Sequence, residues 1–450
     1  MRKKYRLTAA AVCIVMAGTM VLGGCGGKNE AESETHKFIE QPLEMSEEQS
    51  EGKDFEKENS AAEEITAENG NEQTGNNSTE REKIVVWSYF ETPAQRQSMD
   101  ELVRDFNQSQ NVYEAAWEYI PMIGFNKSLS SAYTENNLPD MAILDNPDMP
   151  EMIQLGLFED ITEYVEEWNL TEEFYPSIVE TVQHEGKYYG VPFNCNNTAL
   201  VYNKTVFEEA GLTPPTTWEE LRETALALVT EEREGFMMCA IEGEQGAFQI
   251  LPWLLAAGEN PQELGGEKTE EAFAFLQTML EEGSLSQNCI NLTQTDLSRE
   301  FVDGKVAMMQ NGPWVFPILE EAGIDYGVVP IPGEVKGTAV VGGENIGVLK
   351  GKNLEGSIAF ISFCMERENI TDFCSTANVL PGNTELAKEV AAEKENLQAF
   401  AEQMTNAVTR TSIPHWLSVR ECLTDGFFSL VAGEKTPEEI AEEIREASLS

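Results

Sequence analysis

The sequence predicts an α/β protein of two domains, with mostly parallel sheet flanked by helices. Three observations carry this. From Lys83 to Asp145, apolar strand-like runs and helically spaced segments follow one another in β-α-β-α-β order, the rhythm of a parallel sheet covered by helices. The same alternation resumes beyond Leu200. The body from Lys83 to Ser450 holds 368 residues, too many for one compact core.

Lys83-Ile84-Val85-Val86-Trp87 reads as a buried strand opening the body. Residues 93–107 space Met99, Leu102, Val103 and Phe106 as a helix does. Val112 to Ile120 alternates as a second strand, Asn126 to Tyr133 reads as a helix, and Met141-Ala142-Ile143-Leu144 forms a third strand ending at Asp145. Helix signals continue at 148–155 and 161–168, then a hairpin-like turn and strand at Gly186 to Pro192. Leu200-Val201-Tyr202 is a strand, and the helix after it is closed by Gly211. Thr217 with Glu220 three residues on has the pattern of a capping box. Helices follow at 270–282 and 296–303, strands at 305–309, 326–330 and 346–349, and helices to the end. In open α/β sheets ligands sit beyond the carboxyl ends of strands, here Trp87 to Phe90 and Asp145-Asn146.

The chain starts with Arg2, Lys3, Lys4 and Arg6, an apolar run from Leu7 to Leu22, and Gly23-Gly24-Cys25. This is the layout of a secretory signal, and the cysteine after small residues resembles a bacterial lipoprotein box. Cleavage before Cys25 would leave its thiol for lipid. The alternative is an uncleaved anchor, since about 18 mostly apolar residues can just span a bilayer. In both readings the rest of the chain lies outside the cytoplasm, on a membrane face. Residues 28–82 carry 17 acidic and 5 basic residues and no Trp, Tyr or Cys. Too little apolar surface is available to offset ordering, so the segment reads as a solvated tether.

The formal charge is −49 for the whole chain. Removing +4 from the basic start and −12 from residues 28–82 leaves −41 on the body, a surface that repels phosphate backbones and excludes nucleic acid as a partner. Six of eight cysteines lie in the body, with no CxxC pair; disulfides and buried thiols are both open. The three histidines, His36, His184 and His415, are scattered, so no metal site and no cofactor is expected.

Several short motifs, weak singly, recur in one order: Ile84-Val85-Val86-Trp87-Ser88, Leu138-Pro139-Asp140, Gly156-Leu157-Phe158-Glu159-Asp160-Ile161, Tyr202-Asn203-Lys204, Pro214-Pro215-Thr216-Thr217-Trp218, Gly304-Lys305-Val306-Ala307-Met308, Asn311-Gly312-Pro313-Trp314, Gly342-Gly343-Glu344 and Leu380-Pro381. Together, over about 84–446, they resemble the extracellular solute-binding proteins of ABC importers, in the carbohydrate-binding family that includes maltose-binding protein. The resemblance implies a two-lobed periplasmic-binding-protein-like α/β fold, each lobe a mostly parallel sheet flanked by helices, with a hinge crossed three times. The crossings fall near Phe193–Thr198, Val340–Asn345 and Gln398–Thr405. The expected division is signal peptide 1–24, lipidated Cys25 and tether to 82, lobe 1 from 83–195 plus 345–400, and lobe 2 from 196–344 plus 401–450. The implied function is capture of a sugar in the cleft and delivery to a membrane permease, by a monomer anchored through Cys25.

Sugars present apolar faces and a rim of hydroxyls, so their sites want aromatic platforms beside polar groups. The resemblance puts stacking aromatics at Trp314 and Trp416, each with a core role as the alternative. It puts a polar contact at Asn196, with Asn194 as its same-face neighbour; the alternative for either is a bond to the hinge backbone. Asp145 is a hydroxyl acceptor or a helix cap. Ser88 and Tyr89 sit on the first strand-end loop. Gly343 lets backbone approach and Glu344 reaches in, unless the pair is only a tight turn. Gln249 and Trp253 complete the set. Leu144 stands where maltose-binding protein carries a tryptophan, which speaks against a long maltodextrin. No catalytic residue is expected. Two other functions fit the composition: a surface glycosidase, which needs two spaced carboxylates, and the same fold with a peptide, polyamine or phosphonate ligand.

Overall fold

The computed structural model describes residues 81–335 and 338–450. The expected signal peptide, Cys25 and the tether up to residue 80 lie outside the described residues. Ten strands frame the cleft: β1 (Glu82–Ser88), β2 (Tyr113–Tyr119), β3 (Met141–Asp145), β4 (Val191–Pro192), β5 (Asn194–Cys195), β6 (Ala199–Asn203), β7 (Glu234–Met237), β8 (Val306–Asn311), β9 (Tyr326–Val329) and β10 (Glu344–Val348).

One sheet has the order β2-β1-β3-β10-β4 and another β9-β6-β8-β7. In the first, β1 runs parallel to β2 and β3, whereas β10 is antiparallel to β3 and β4. In the second, only β8 and β7 run parallel; β6 is antiparallel to both β8 and β9. The expectation of mostly parallel sheets is therefore corrected, most clearly for the second sheet. The cause is connectivity. Neither β6 nor β10 arrives through a crossover helix; each continues from a hinge segment and enters its sheet against the direction of its neighbours.

The central strands are apolar on both faces because helices cover both. Met141 to Leu144 are fully buried in β3, as are Ala307, Met308 and Met309 in β8. The helix Pro93–Ser109 opens with a capping box between Thr92 and Gln95 and turns Met99, Leu102, Val103 and Phe106 inward. The helix Glu244–Ala256 is buried on every side from Gly246 onward. Among the described residues no helix is long and apolar enough to cross a membrane.

Two chain segments join the two sheets, and a third pairs beside them. Asn196 exchanges backbone hydrogen bonds with Gly342, and Val341 donates to Val408. The third segment thus pairs at Val408, just beyond the expected 398–405. Asn197 and Gln403 bind the segments through side chains: Asn197 donates to the Phe400 carbonyl and Gln403 donates to Asn197 at 2.6 Å. Gly343 has φ +117°, and a Cβ there would lie 2.4 Å from the Asn194 carbonyl. Only glycine fits so close to the neighbouring hinge strand.

The six body cysteines are free, five of them buried. Burial pushes the thiols of Cys239 and Cys289 up to about 12, so they are inert core groups.

Candidate ligand-binding cleft

The strand ends and hinge segments converge on a cavity of about 70 Å³ that is open at its mouth. Tyr89 enters from the loop after β1, Asp145 from the end of β3, and Gly343 and Glu344 from the start of β10. Asn196 comes from the first hinge segment, and Trp314 from the turn after β8. The structure thus brings six of the eleven expected residues together.

The other five are placed elsewhere. Ser88 is fully buried and its Oγ accepts from the Phe90 amide, so it shapes the strand-end loop. Asn194 is fully buried in β5, behind the wall, where it supports the Glu344 carboxylate. Gln249 is fully buried and accepts from the Cys239 amide at 2.8 Å. Trp253 is fully buried and its Nε1 donates to Gln310 at 2.8 Å. Trp416 starts the helix Trp416–Ala432, is 7% exposed and packs in the core. These positions are corrections to the expected site: all five side chains are buried and none lines the cavity.

Trp314 lies 9% exposed beside Phe248, with ring centroids 6.4 Å apart. A Cβ at Gly312 would fall 1.8 Å from the Trp314 ring, so glycine there lets the ring fold back over its own turn. Tyr89 donates to Glu344 at 3.1 Å.

The residue that sequence reasoning missed is Arg410. It is 1% exposed. Its guanidinium donates to both oxygens of Asp145, at 3.1 and 3.3 Å, and also to Glu244. It stacks 4.5 Å from the Phe248 ring centroid. Asp145 ends a strand of the first sheet, whereas Glu244 begins a helix packed with the second sheet's elements. Arg410 therefore bridges the cleft. Thr295 donating to Glu91 at 2.7 Å, and Arg420 set 4.0 Å from Asp148, span it again. Glu244, Gln245, Phe248, Gln294 and Thr295 also line the cavity and were missed. For Arg410, the available signal is a cation with no acidic residue between Asn406 and Trp416 in a strongly acidic body.

Burial, followed by the Asp145 charge, pushes Glu344 up to about 7. Burial lifts Asp145 to about 6 against the pull of Arg410. Asp148 is raised by burial and then by the charges of Glu244 and Asp145. Each of these carboxyls holds its proton more tightly folded than unfolded. Over the interval between the ordinary carboxylate range and these raised values the folded state binds more protons, so stability falls as pH rises. The thermal midpoint is expected to drop between about pH 5 and pH 8, with a slope of up to about 1.4 kcal/mol per pH unit for each titrating group. Asp148→Asn should flatten the decline; an equally steep decline in that variant would contradict this assignment.

No group of three or more His, Cys, Asp or Glu side chains among the described residues is arranged to hold a metal ion.

Residues 101–401 match the family model described as bacterial extracellular solute-binding protein. A binding protein of Brucella abortus is 25% identical over 342 residues, 72% of this chain and 82% of its own. The maltotriose-binding protein of Pyrococcus abyssi is 27% identical over 261 residues, 56% of this chain and 54% of its own. Among solved structures, an ABC transporter solute-binding protein of Thermotoga lettingae bound with α-D-tagatose superposes with TM-score 0.75 at 22% identity. It covers 82% of this chain and 100% of its own.

Proposed function

Because the chain belongs to the bacterial extracellular solute-binding protein family, we propose that it captures a sugar or oligosaccharide between its lobes and delivers it to an ABC permease. The carrying observation is the cavity between the two sheets, with aromatic faces from Tyr89, Phe248 and Trp314 beside Asp145, Asn196 and Glu344. Stacking takes the apolar face of a pyranose, and the carboxylates and amide accept or donate around its rim. The lobe division is that of 83–195 plus 345–400 against 196–344 plus 401–450. Ligand touching both lobes stabilises the closed form and so shifts the population toward it. No bond is broken, and the protein is not an enzyme. It works outside the cytoplasm, tethered through a lipid on Cys25 and acting as a monomer. The sugar-binding relative supports the ligand class.

A thermal-shift screen of mono- and oligosaccharides, with amino acids and polyamines as controls, tests the reading. A sugar at 100 times its Kd should add about 2.7 kcal/mol of stability, and should be recovered uncleaved. Shifts from peptides or polyamines alone would overturn the sugar assignment, and cleavage products would favour the glycosidase. Trp314→Ala is expected to weaken the sugar that binds by about 30- to 1,000-fold, roughly 2–4 kcal/mol for an aromatic anchor, measured by titration calorimetry. Unchanged affinity would return Trp314 to the core.

A further inference from the structure

We propose that the cleft prefers a saccharide carrying a protonated amine, held against Glu344, over its neutral counterpart, and that it rejects acidic sugars and sugar phosphates. The inference rests on the sugar-capture reading and adds the charge of the ligand.

The argument is a charge balance at the cavity wall. Four carboxylates line the cavity, those of Glu91, Asp145, Glu244 and Glu344, and a single cation, Arg410. Arg410 is already used: both terminal nitrogens engage Asp145, and one also engages Glu244. Its Nε is a buried atom without a partner, sealed from any ligand. Arg420, outside the lining, pairs with Glu244 at 3.4 Å and stands 4.0 Å from Asp148. Asp145 and Glu244 are therefore compensated and Glu344 is not.

Glu344 is 7% exposed and faces the cavity. Its neighbours are the Tyr89 hydroxyl at 3.1 Å and the Asn194 amide, both neutral. Among the described residues no Lys, Arg or His forms an ion pair with it. A buried carboxylate in this state must take a proton or meet a cation. A sugar hydroxyl gives it a hydrogen bond but leaves its charge unmatched. An ammonium gives both, and the faces of Tyr89, Phe248 and Trp314 can add attraction to the same cation. Glu91, at the mouth and already bonded to Thr295, extends the negative field outward. An anionic ligand meets the reverse: no cationic donor is free, and uncompensated carboxylate faces it.

The competitor for Glu344 is the proton. Burial and the Asp145 charge hold it up to about 7, so an ammonium that seats beside it must release that proton where it is bound. This gives a second readout that does not depend on a variant.

The test uses the full chain and matched probes in titration calorimetry near neutral pH. The probes are glucose, galactose and mannose with their 2-amino counterparts, and N-acetylated chitin oligosaccharides with chitosan oligosaccharides. Glucuronate and glucose 6-phosphate serve as anions. The amine member of at least one pair is expected to bind about tenfold tighter or better than its neutral partner. Its binding heat should vary with the ionisation enthalpy of the buffer, as released protons require. Glu344→Gln should reduce the amine-to-neutral ratio, and its own melting curve reports whether it folds. The anions should not bind. Neutral sugars binding as tightly as their amines, or an anion binding comparably, would overturn the inference and leave sugar capture standing. Silence from every saccharide would overturn both.

Discussion

Replacing Arg410 by alanine is expected to cost about 3–5 kcal/mol of stability, the usual penalty for breaking a buried ion pair from one side. The guanidinium is 1% exposed and serves Asp145 and Glu244 together. Without it, buried Asp145 loses its ion-pair partner and Glu244 keeps only Arg420. The loss comes from charges left behind more than from bonds removed. A double substitution, Arg410→Ala with Asp145→Asn, should therefore recover part of what the single variant loses, a coupling read from a double-mutant cycle. Chemical denaturation of the four proteins in the cycle measures this. Additive losses would mean that Arg410 acts by packing on Phe248 and not by charge. Sugar affinity should also fall in Arg410→Ala, because the bridge ties together Asp145 and Glu244, which line the cavity from different elements.

Trp253→Ala is expected to cost a similar amount, about 3–5 kcal/mol, for a different reason. Its indole is fully buried, edge-on to Phe236 at 5.8 Å and bonded to Gln310. Truncation leaves a large cavity and strands the Gln310 oxygen. Gln310 also donates to Thr198 and to the Gln249 carbonyl, so the damage spreads toward the first hinge segment. Trp253→Phe should restore much of the packing but not the bond. If Trp253→Ala instead kept its melting point and lost ligand, the side chain would belong to the site after all.

The two tryptophans show what the sequence could and could not convey. Trp314 follows Asn311-Gly312-Pro313, and the family resemblance carried by that short motif is what points to it. Trp253 sits in a helix with no amphipathic stripe, since Gly246 to Ala256 are all buried. A helix buried all round gives no period to read, and Pro252 within it argues against a helix altogether. The helix Glu244–Ala256 went unrecognised for that reason, and with it Glu244, Gln245 and Phe248. Strand β7 went unread too, being four residues long and holding a glycine, Gly235, that packs against the Ala225 backbone. By contrast, β1 to β3 and their helices were legible, because strand runs and capping signals there are local. Arg410 was not, because its two partners lie 166 and 265 residues away. Pairing at that distance is a product of the hinge, and no window of sequence contains it.

Phe248 touches the hinge and the cleft at once. Its ring tip would lie 2.7 Å from a Cβ on Gly342, its face carries the Arg410 guanidinium at 4.5 Å, and its edge approaches Trp314. The ring works as a shim. Its volume spaces the Gly342 segment, the guanidinium and the indole, so three chain segments are held apart by one side chain. A lineage that changed that one position would alter the spacing of hinge and cleft together with one of the three aromatic faces of the cavity, while every charge stayed in place.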